Sequence, residues 1–172
     1  MTDDGVTGLG EVIGCPPYND IGEVMIQRQI RPVLLGEDPM RVVHCLGRME
    51  AVTTYWVASG AFATSAVEMA LWDIKGKVLG APVYELLGGL VRDRIPVAGY
   101  VFIDSPEENV KQVEYYKSLG VPGVKVKVGR EPDVDVDRIA MIRETLGSDK
   151  IIRIDADEAW SPKKAIQMIE AL

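Results

Sequence analysis

The apolar positions in the second half of the chain switch between two periods. Gly123-Val124-Lys125-Val126-Lys127-Val128 alternates at every second residue, the period of a strand. Ile95 to Phe102 and Ile151-Ile152-Arg153-Ile154-Asp155 are apolar runs of strand length. Between and after them the spacing becomes helical. Val110, Val113 and Tyr116 share a side within Pro106 to Ser118, Val136, Ile139, Ala140 and Ile142 do so within Asp133 to Leu146, and a last helix runs from Pro162 to Leu172. Strand and helix alternating three times predicts a parallel α/β arrangement. The strands recur about every 28 residues, against about 31 for each unit of a 250-residue βα-barrel. The repeat therefore suits a (β/α)8 barrel as well as an open doubly wound sheet.

The first half has a different grammar. Asp3-Asp4-Gly5 reads as a tight turn and Thr7 to Ile13 as the strand after it. Gly14 to Asp20, with Pro16 and Pro17, is a loop. Ile21 to Leu34 has helical spacing, with Pro32 disturbing its end. Pro39 to Met49 is a second helix, and Ala51 to Gly60 can continue it to a break at Ser59-Gly60. Phe62 to Leu79 is rich in Ala, Met, Leu, Glu and Lys, all good helix formers. Lys75 and Lys77 suit the negative end of its dipole, Gly80 is a natural residue after its last turn, and Pro82 follows. Val83 to Leu87 then leads to the break Gly88-Gly89.

Composition narrows the classes. With 172 residues there is room for one domain or parts of two. Hydrophobic residues at 47% and charged residues at 26% are ordinary for a soluble globular chain. A net charge of −7 argues against a nucleic-acid surface, which needs clustered Lys and Arg. No apolar run reaches membrane-spanning length, and Met1-Thr2-Asp3-Asp4 has neither the basic start nor the apolar stretch of a signal peptide. Cys15 and Cys45 are too few for a disulfide framework or a zinc site and read as buried free thiols in a reducing cytoplasm. The lone His44 has no second ligand at metal spacing, so it reads as structural or surface.

The candidate chemistry lies on the strands. Lys125 and Lys127 point to one face of theirs and the valines to the other. Two ammonium groups side by side in a buried parallel strand are costly unless something uses them. An exposed edge face is the alternative for such a pair, and the three valines and the helices on both sides weigh against it. Asp155 closes the next strand. By itself, an aspartate there is ordinarily a helix cap or turn former.

Four segments carry a resemblance. Thr2-Asp3-Asp4-Gly5-Val6-Thr7-Gly8-Leu9-Gly10-Glu11 resembles the capping-domain hairpin of the enolase superfamily, in its mandelate racemase and muconate-lactonizing branch. Ala70-Leu71-Trp72-Asp73-Ile74-Lys75-Gly76-Lys77, followed by Pro82-Val83-Tyr84-Glu85-Leu86-Leu87-Gly88-Gly89, resembles the last capping helix and its exit. Lys125-Val126-Lys127 is similar to the KxK motif of the second barrel strand, and Asp155-Ala156-Asp157-Glu158-Ala159-Trp160 to the D-x-N segment at the third. The resemblance implies an α+β capping domain over 1–93, then an incomplete (β/α)8 barrel of about three βα units over 94–172. It implies Mg²⁺-dependent abstraction of a proton α to the carboxylate of a small-molecule substrate, through an enolate. Lys127 would be the acid/base, Lys125 its neighbour facing the substrate carboxylate, and Asp155 the first metal ligand. Trp72 and Trp160 would be packing residues.

A physical reason accompanies the doubled lysine. Charges roughly 6–7 Å apart repel by about 2.5 kcal/mol at an effective dielectric of 20, enough to bring one lysine from about 10.4 towards 8. Each lysine is thus expected to lower the other's affinity for its proton. Asp157 departs from the pattern, since the family usually has Asn there. An ionised Asp only accepts hydrogen bonds, and it would contact a cationic or hydroxylated substrate group or a water.

Three strands cannot close a barrel, so the chain reads as an internal piece of a longer protein. The further acidic ligands and the acid/base of the opposite face would lie outside it, leaving this chain alone inactive. The full-length parent is expected to be a homo-oligomeric sugar-acid dehydratase or racemase. A dipeptide epimerase, a cycloisomerase or a non-catalytic truncated module are the alternatives. An open flavodoxin-like sheet ranks below these, because no Gly-rich phosphate loop follows the first strand.

Overall fold

Three parallel strands stand side by side in chain order in the computed structural model, which describes residues 1–12, 20–55 and 57–171. They are β1 (Gly99–Val101), β2 (Gly123–Lys127) and β3 (Ile151–Asp155). Tyr100 pairs with Lys125 and Val101 with Val126; Lys125 pairs with Arg153 and Lys127 with Asp155. A doubly wound flavodoxin-like sheet would place β1 between the other two. Here β2 is central, as in a sheet wound in one direction.

Helices α6 (Pro106–Ser118) and α7 (Pro132–Leu146) join these strands. Both pack on the valine face. Val101, Val124, Val126 and Val128 are buried against Val113 of α6 and Ile139, Ile142 and Leu146 of α7. Burying each such side chain contributes about 1.5–3 kcal/mol. Trp160 packs against this core, as expected. Helix α8 (Pro162–Ala171) buries Met168 and leaves Ile166 and Ile169 exposed. α6 and α7 begin on prolines at the first turn and α8 on Pro162, where no hydrogen bond is lost. Ser105 Oγ accepts from the Glu108 amide and Ser161 Oγ from the Lys164 amide, each at 3.3 Å, which caps two of the three.

The first strand is shorter than its apolar run. Residues 95–98 lie outside the ladder, and Ile95 and Val97 are exposed. Phe102 also leaves it: its amide donates to Gln112 Oε1 at 3.3 Å. Apolar composition marks where a strand can form, but pairing decides where it does. The other elements of this unit, Arg92–Leu172, fall within a residue of expectation. Leu172 itself lies outside the described residues.

The other compact unit is Met1–Val91. Its opening turn forms as expected, with the Thr2 amide donating to Val6 O at 2.9 Å and the Gly5 amide to Thr2 O at 3.1 Å. The strand expected next does not form: residues 7–12 pair with no strand. They lie instead along α4 (Val57–Leu79). The Leu9 amide donates to Asp73 Oδ2 at 2.8 Å, and Lys77 Nζ donates to Thr7 O at 2.8 Å. A Cβ on Gly10 would overlap the Ala66 carbonyl, so only glycine permits this approach. Ile13, the expected loop from Gly14 through Asn19, and Cys15 lie outside the described residues.

The helix from Ile21 to Leu34 is made of α1 (Ile21–Met25), a π-helical turn (Ile26–Ile30) and α2 (Arg31–Leu34). Pro32 has no amide to continue the α ladder, and the wider turn lies just before it. Helix α3 (Val42–Thr53) starts later than Pro39 because Asp38 forms a turn, accepting from the Met40 amide at 2.9 Å and the Arg41 amide at 3.1 Å. The break after α3 falls at Thr54–Tyr55, not at Ser59–Gly60. Gly60 lies inside α4, where a Cβ would come within 2.7 Å of Thr53 O. A short α5 (Val83–Leu86) follows. Met25, Ile30, Val42, Cys45, Met49, Ala63 and Leu71 form the core, with Trp72 packed against it. Cys45 is a buried free thiol whose pKa is raised by burial and by the nearby Glu37 and Asp38. His44 is a surface residue, its Nε2 3.1 Å from Glu37 Oε2. Among the described residues no helix is long and apolar enough to cross a membrane.

Candidate active site

The alternation of β2 sends its valines into the helix-covered core and its lysines to the opposite face. Parallel register then sets Lys127 beside Asp155, the last residues of β2 and β3. The result is a shared anion. Asp155 Oδ2 lies 2.7 Å from Lys125 Nζ and 2.8 Å from Lys127 Nζ. Lys127 Nζ also lies 3.1 Å from Asp157 Oδ2. All four residues singled out in the sequence are therefore brought together at the C-terminal ends of the strands, where barrel active sites lie. Lys127 is the most enclosed, at 19% exposure, and Asp157 the most open, at 78%.

The β3 exit is bent to allow this. Asp157 and Glu158 both have left-handed backbones, with φ of 50° and 65°, a conformation costly for side-chain-bearing residues. The Asp157 amide donates to Asp155 Oδ1 at 3.1 Å, so each carboxylate oxygen of Asp155 is engaged. On the other side, Lys125 Nζ lies 5.4 Å from the centre of the Tyr100 ring, within cation–π range.

These contacts reverse the expected direction of Lys127. The Asp155 carboxylate raises its pKa above the ordinary lysine range; burial opposes this, and Asp157 and Tyr100 reinforce it. Asp155 is held well below the usual carboxylate range by Lys125, then Lys127, then the Asp157 amide. Repulsion between lysines considered alone predicts depression. The carboxylate between them outweighs it, because opposite charges in hydrogen-bond contact outweigh like charges farther apart.

Three residues at this end of the sheet were missed by sequence reasoning. Arg138 (3% exposed), Asp135 and Asn109 are buried together. Arg138 Nη2 donates to Asp135 Oδ1 at 2.7 Å and to the carbonyl of Lys127; its Nη1 donates to Asn109 Oδ1 and Phe102 O, each at 3.3 Å. The signal was present in the pattern. Asp135 and Arg138 occupy the same helical stripe as Ile139, Ile142 and Leu146, and charges on a core stripe call for partners.

Among the described residues no three His, Cys, Asp or Glu side chains converge as a cation cage. Mg²⁺ takes near-octahedral oxygen coordination. Asp155 fits one position of such a shell, and the described residues do not complete it.

Residues 1–88 match the mandelate racemase / muconate lactonizing enzyme N-terminal domain, and residues 108–172 match the enolase C-terminal domain-like family. The chain belongs to the mandelate racemase / muconate lactonizing enzyme family. Within that family it is 34% identical to an arabinonate dehydratase from Saccharolobus solfataricus over 97% of its own length and 46% of the relative's. It superposes on the 3,6-anhydro-D-galactonate cycloisomerase from Zobellia galactanivorans with a TM-score of 0.90 and 32% identity, covering 99% of this chain and 48% of that one. For a racemase from Streptomyces coelicolor A3(2) with bound magnesium, the TM-score is 0.85 and the identity 30%, covering 100% of this chain and 53% of that one. This mandelate racemase family chain thus spans about half the length of the relatives it matches, and its three parallel strands cover part of their barrel.

Proposed function

We propose that the full-length protein carrying this chain is a Mg²⁺-dependent enzyme that abstracts a proton α to the carboxylate of a small molecule. Sugar-acid dehydration or racemisation is the reaction we favour. The observation that carries this reading is the convergence of Lys125 and Lys127 on Asp155 at the strand ends. Lys127, as a neutral amine, takes the α proton and, as an ammonium, returns one. Lys125 faces the substrate carboxylate, Asp157 contacts a hydroxyl or cationic group of the substrate, and Asp155 gives one oxygen to the metal. When bound, Mg²⁺ would supply Lewis-acid stabilisation of charge developing on the substrate carboxylate. For Lys127 to act as a base, its contact with Asp155 must be given up. The ion pair and the base role are alternative states of the same atoms.

Two of the relatives above are named for sugar-derived acids, and one holds magnesium; both facts support the substrate class and the metal. Residues 1–93 act in this reading as the capping domain and 94–172 as the first part of the barrel, in a cytoplasmic homo-oligomer. The 172-residue chain alone does not turn over substrate, because one carboxylate holds Mg²⁺ poorly. Dipeptide epimerisation and cycloisomerisation remain the alternatives, decided by the acid/base on the opposite face of the barrel.

The test is α-proton exchange in D₂O. The full-length protein with Mg²⁺ and a panel of aldonic acids should wash deuterium into the α position, followed by NMR. Lys127→Ala should slow this by about 10²–10⁴-fold. Exchange at an undiminished rate in that variant overturns the reading.

A further inference from the structure

The backbone leaving Lys127 is held at three successive points, by groups from two elements, α7 and β3. The carbonyl of Lys127 accepts from Arg138 of α7. The Val128 amide donates to Asp155 O of β3 at 3.0 Å. The Gly129 amide donates to Asp135 Oδ2 of α7 at 2.7 Å. Only the middle contact is an ordinary continuation of the sheet. The outer two are made by the partners of one ion pair, Arg138 and Asp135, which are 3% and 2% exposed.

The same guanidinium reaches β1. Arg138 Nη1 donates to Phe102 O, just after that strand, and to Asn109 Oδ1. Asn109 Nδ2 donates to Phe102 O at 2.9 Å. One planar, rigid donor group thus ties the ends of β1 and β2 to α6 and α7. Burying such a pair costs more than apolar packing of equal volume often would. A pair kept for stability alone has no need to grip the carbonyl of one strand-end residue and the amide two positions on.

We infer that Arg138 and Asp135 are positioning residues for Lys127, fixing its backbone so that its ammonium group meets Asp155. This rests on the proposed role of Lys127 for its functional meaning, but the geometry stands without it. A planar fork can satisfy several acceptors in fixed directions, and a lysine ammonium cannot reproduce it.

The test uses the 172-residue chain, without metal or substrate. The Lys127 ammonium group is observed by ¹⁵N NMR through the exchange of its protons with water. The ammonium of Lys111, paired with Glu108 on α6, serves as the internal control. In Arg138→Lys and Asp135→Asn, with cooperative unfolding retained, the Lys127 ammonium protons should exchange about tenfold faster or more, while those of Lys111 stay unchanged. Folded variants in which Lys127 behaves as in the parent overturn the inference. A second measurement needs no variant. In the parent chain the Gly129 amide, although outside the ladder, should exchange within about tenfold of the Val126 amide in the strand. Exchange of Gly129 at an unprotected loop rate also overturns it. If instead both measurements succeed and Lys127→Ala keeps full α-proton exchange in the full-length protein, the clamp stands and only the catalytic reading falls.

Discussion

Lys127 and Asp155 are register partners across the β2–β3 ladder, and their side chains meet at 2.8 Å on the face away from the helices. Lys125 shares the same carboxylate oxygen at 2.7 Å. One negative charge therefore separates two positive ones.

Removing that charge leaves two ammonium groups facing each other. Asp155→Asn should lower the urea midpoint of the chain. Adding Lys125→Met to Asp155→Asn should recover part of the loss, because it removes the repulsion that the first change exposes. A double variant less stable than Asp155→Asn would show that the lysines do not repel in this setting. With the Lys125→Met single variant added, the set is a double-mutant cycle read by urea denaturation.

The pH dependence has a definite sign. Asp155 is depressed in the fold, so its contribution is complete above the unfolded carboxylate value of about 3.9 and is lost as pH falls through the lower folded value. Lys127 is raised, so its contribution is complete below the unfolded lysine value of about 10.4 and is lost as pH rises through the higher folded value. This pair should add no slope to stability between about pH 5 and 9. Below pH 4, urea midpoints of the parent should fall more steeply than those of Asp155→Asn. Parallel curves would mean that the carboxylate is not perturbed.

Gly10→Ala should destabilise the first unit. The new methyl group would run into the Ala66 carbonyl within α4, which cannot move without bending the helix. A cost of about 1–3 kcal/mol is expected for such overpacking. Thermal unfolding, together with faster exchange of the Leu9 amide, reports it. Gly47→Ala is the control: a Cβ there meets nothing within 4 Å.

Ile142 is fully buried between α7 and the sheet. Ile142→Ala should cost about 2–5 kcal/mol, a large share of what a domain of this size possesses. Chemical denaturation followed at Trp160, which packs on the same core, reads the change where it acts.

The sequence was most informative where period and pairing agreed. β3 and α6 fell within their expected bounds, because an alternating or helical stripe met a partner of the same kind. Two errors share one cause: residues 7–12 and 95–98 are apolar enough for strands, but pairing is a tertiary fact that composition does not carry. The break between α3 and α4 was misplaced because glycine was read as punctuation, whereas Gly60 is a close-packing residue. At the site, strand alternation and the family motifs located all four charged residues. They did not reveal that Asp155 would sit between the lysines, since that depends on the register of two strands. Arg138 and Asp135 were legible in principle as charges on an apolar stripe.

The central place of β2 has a consequence for how the site tolerates motion. Among the described strands β2 alone has a neighbour on each side, and both amines ride on it. A strand laddered along both edges is held from two directions, so the heights of the two lysines are set together and their spacing survives small shifts of either neighbour. The pair of amines behaves as a single rigid fitting.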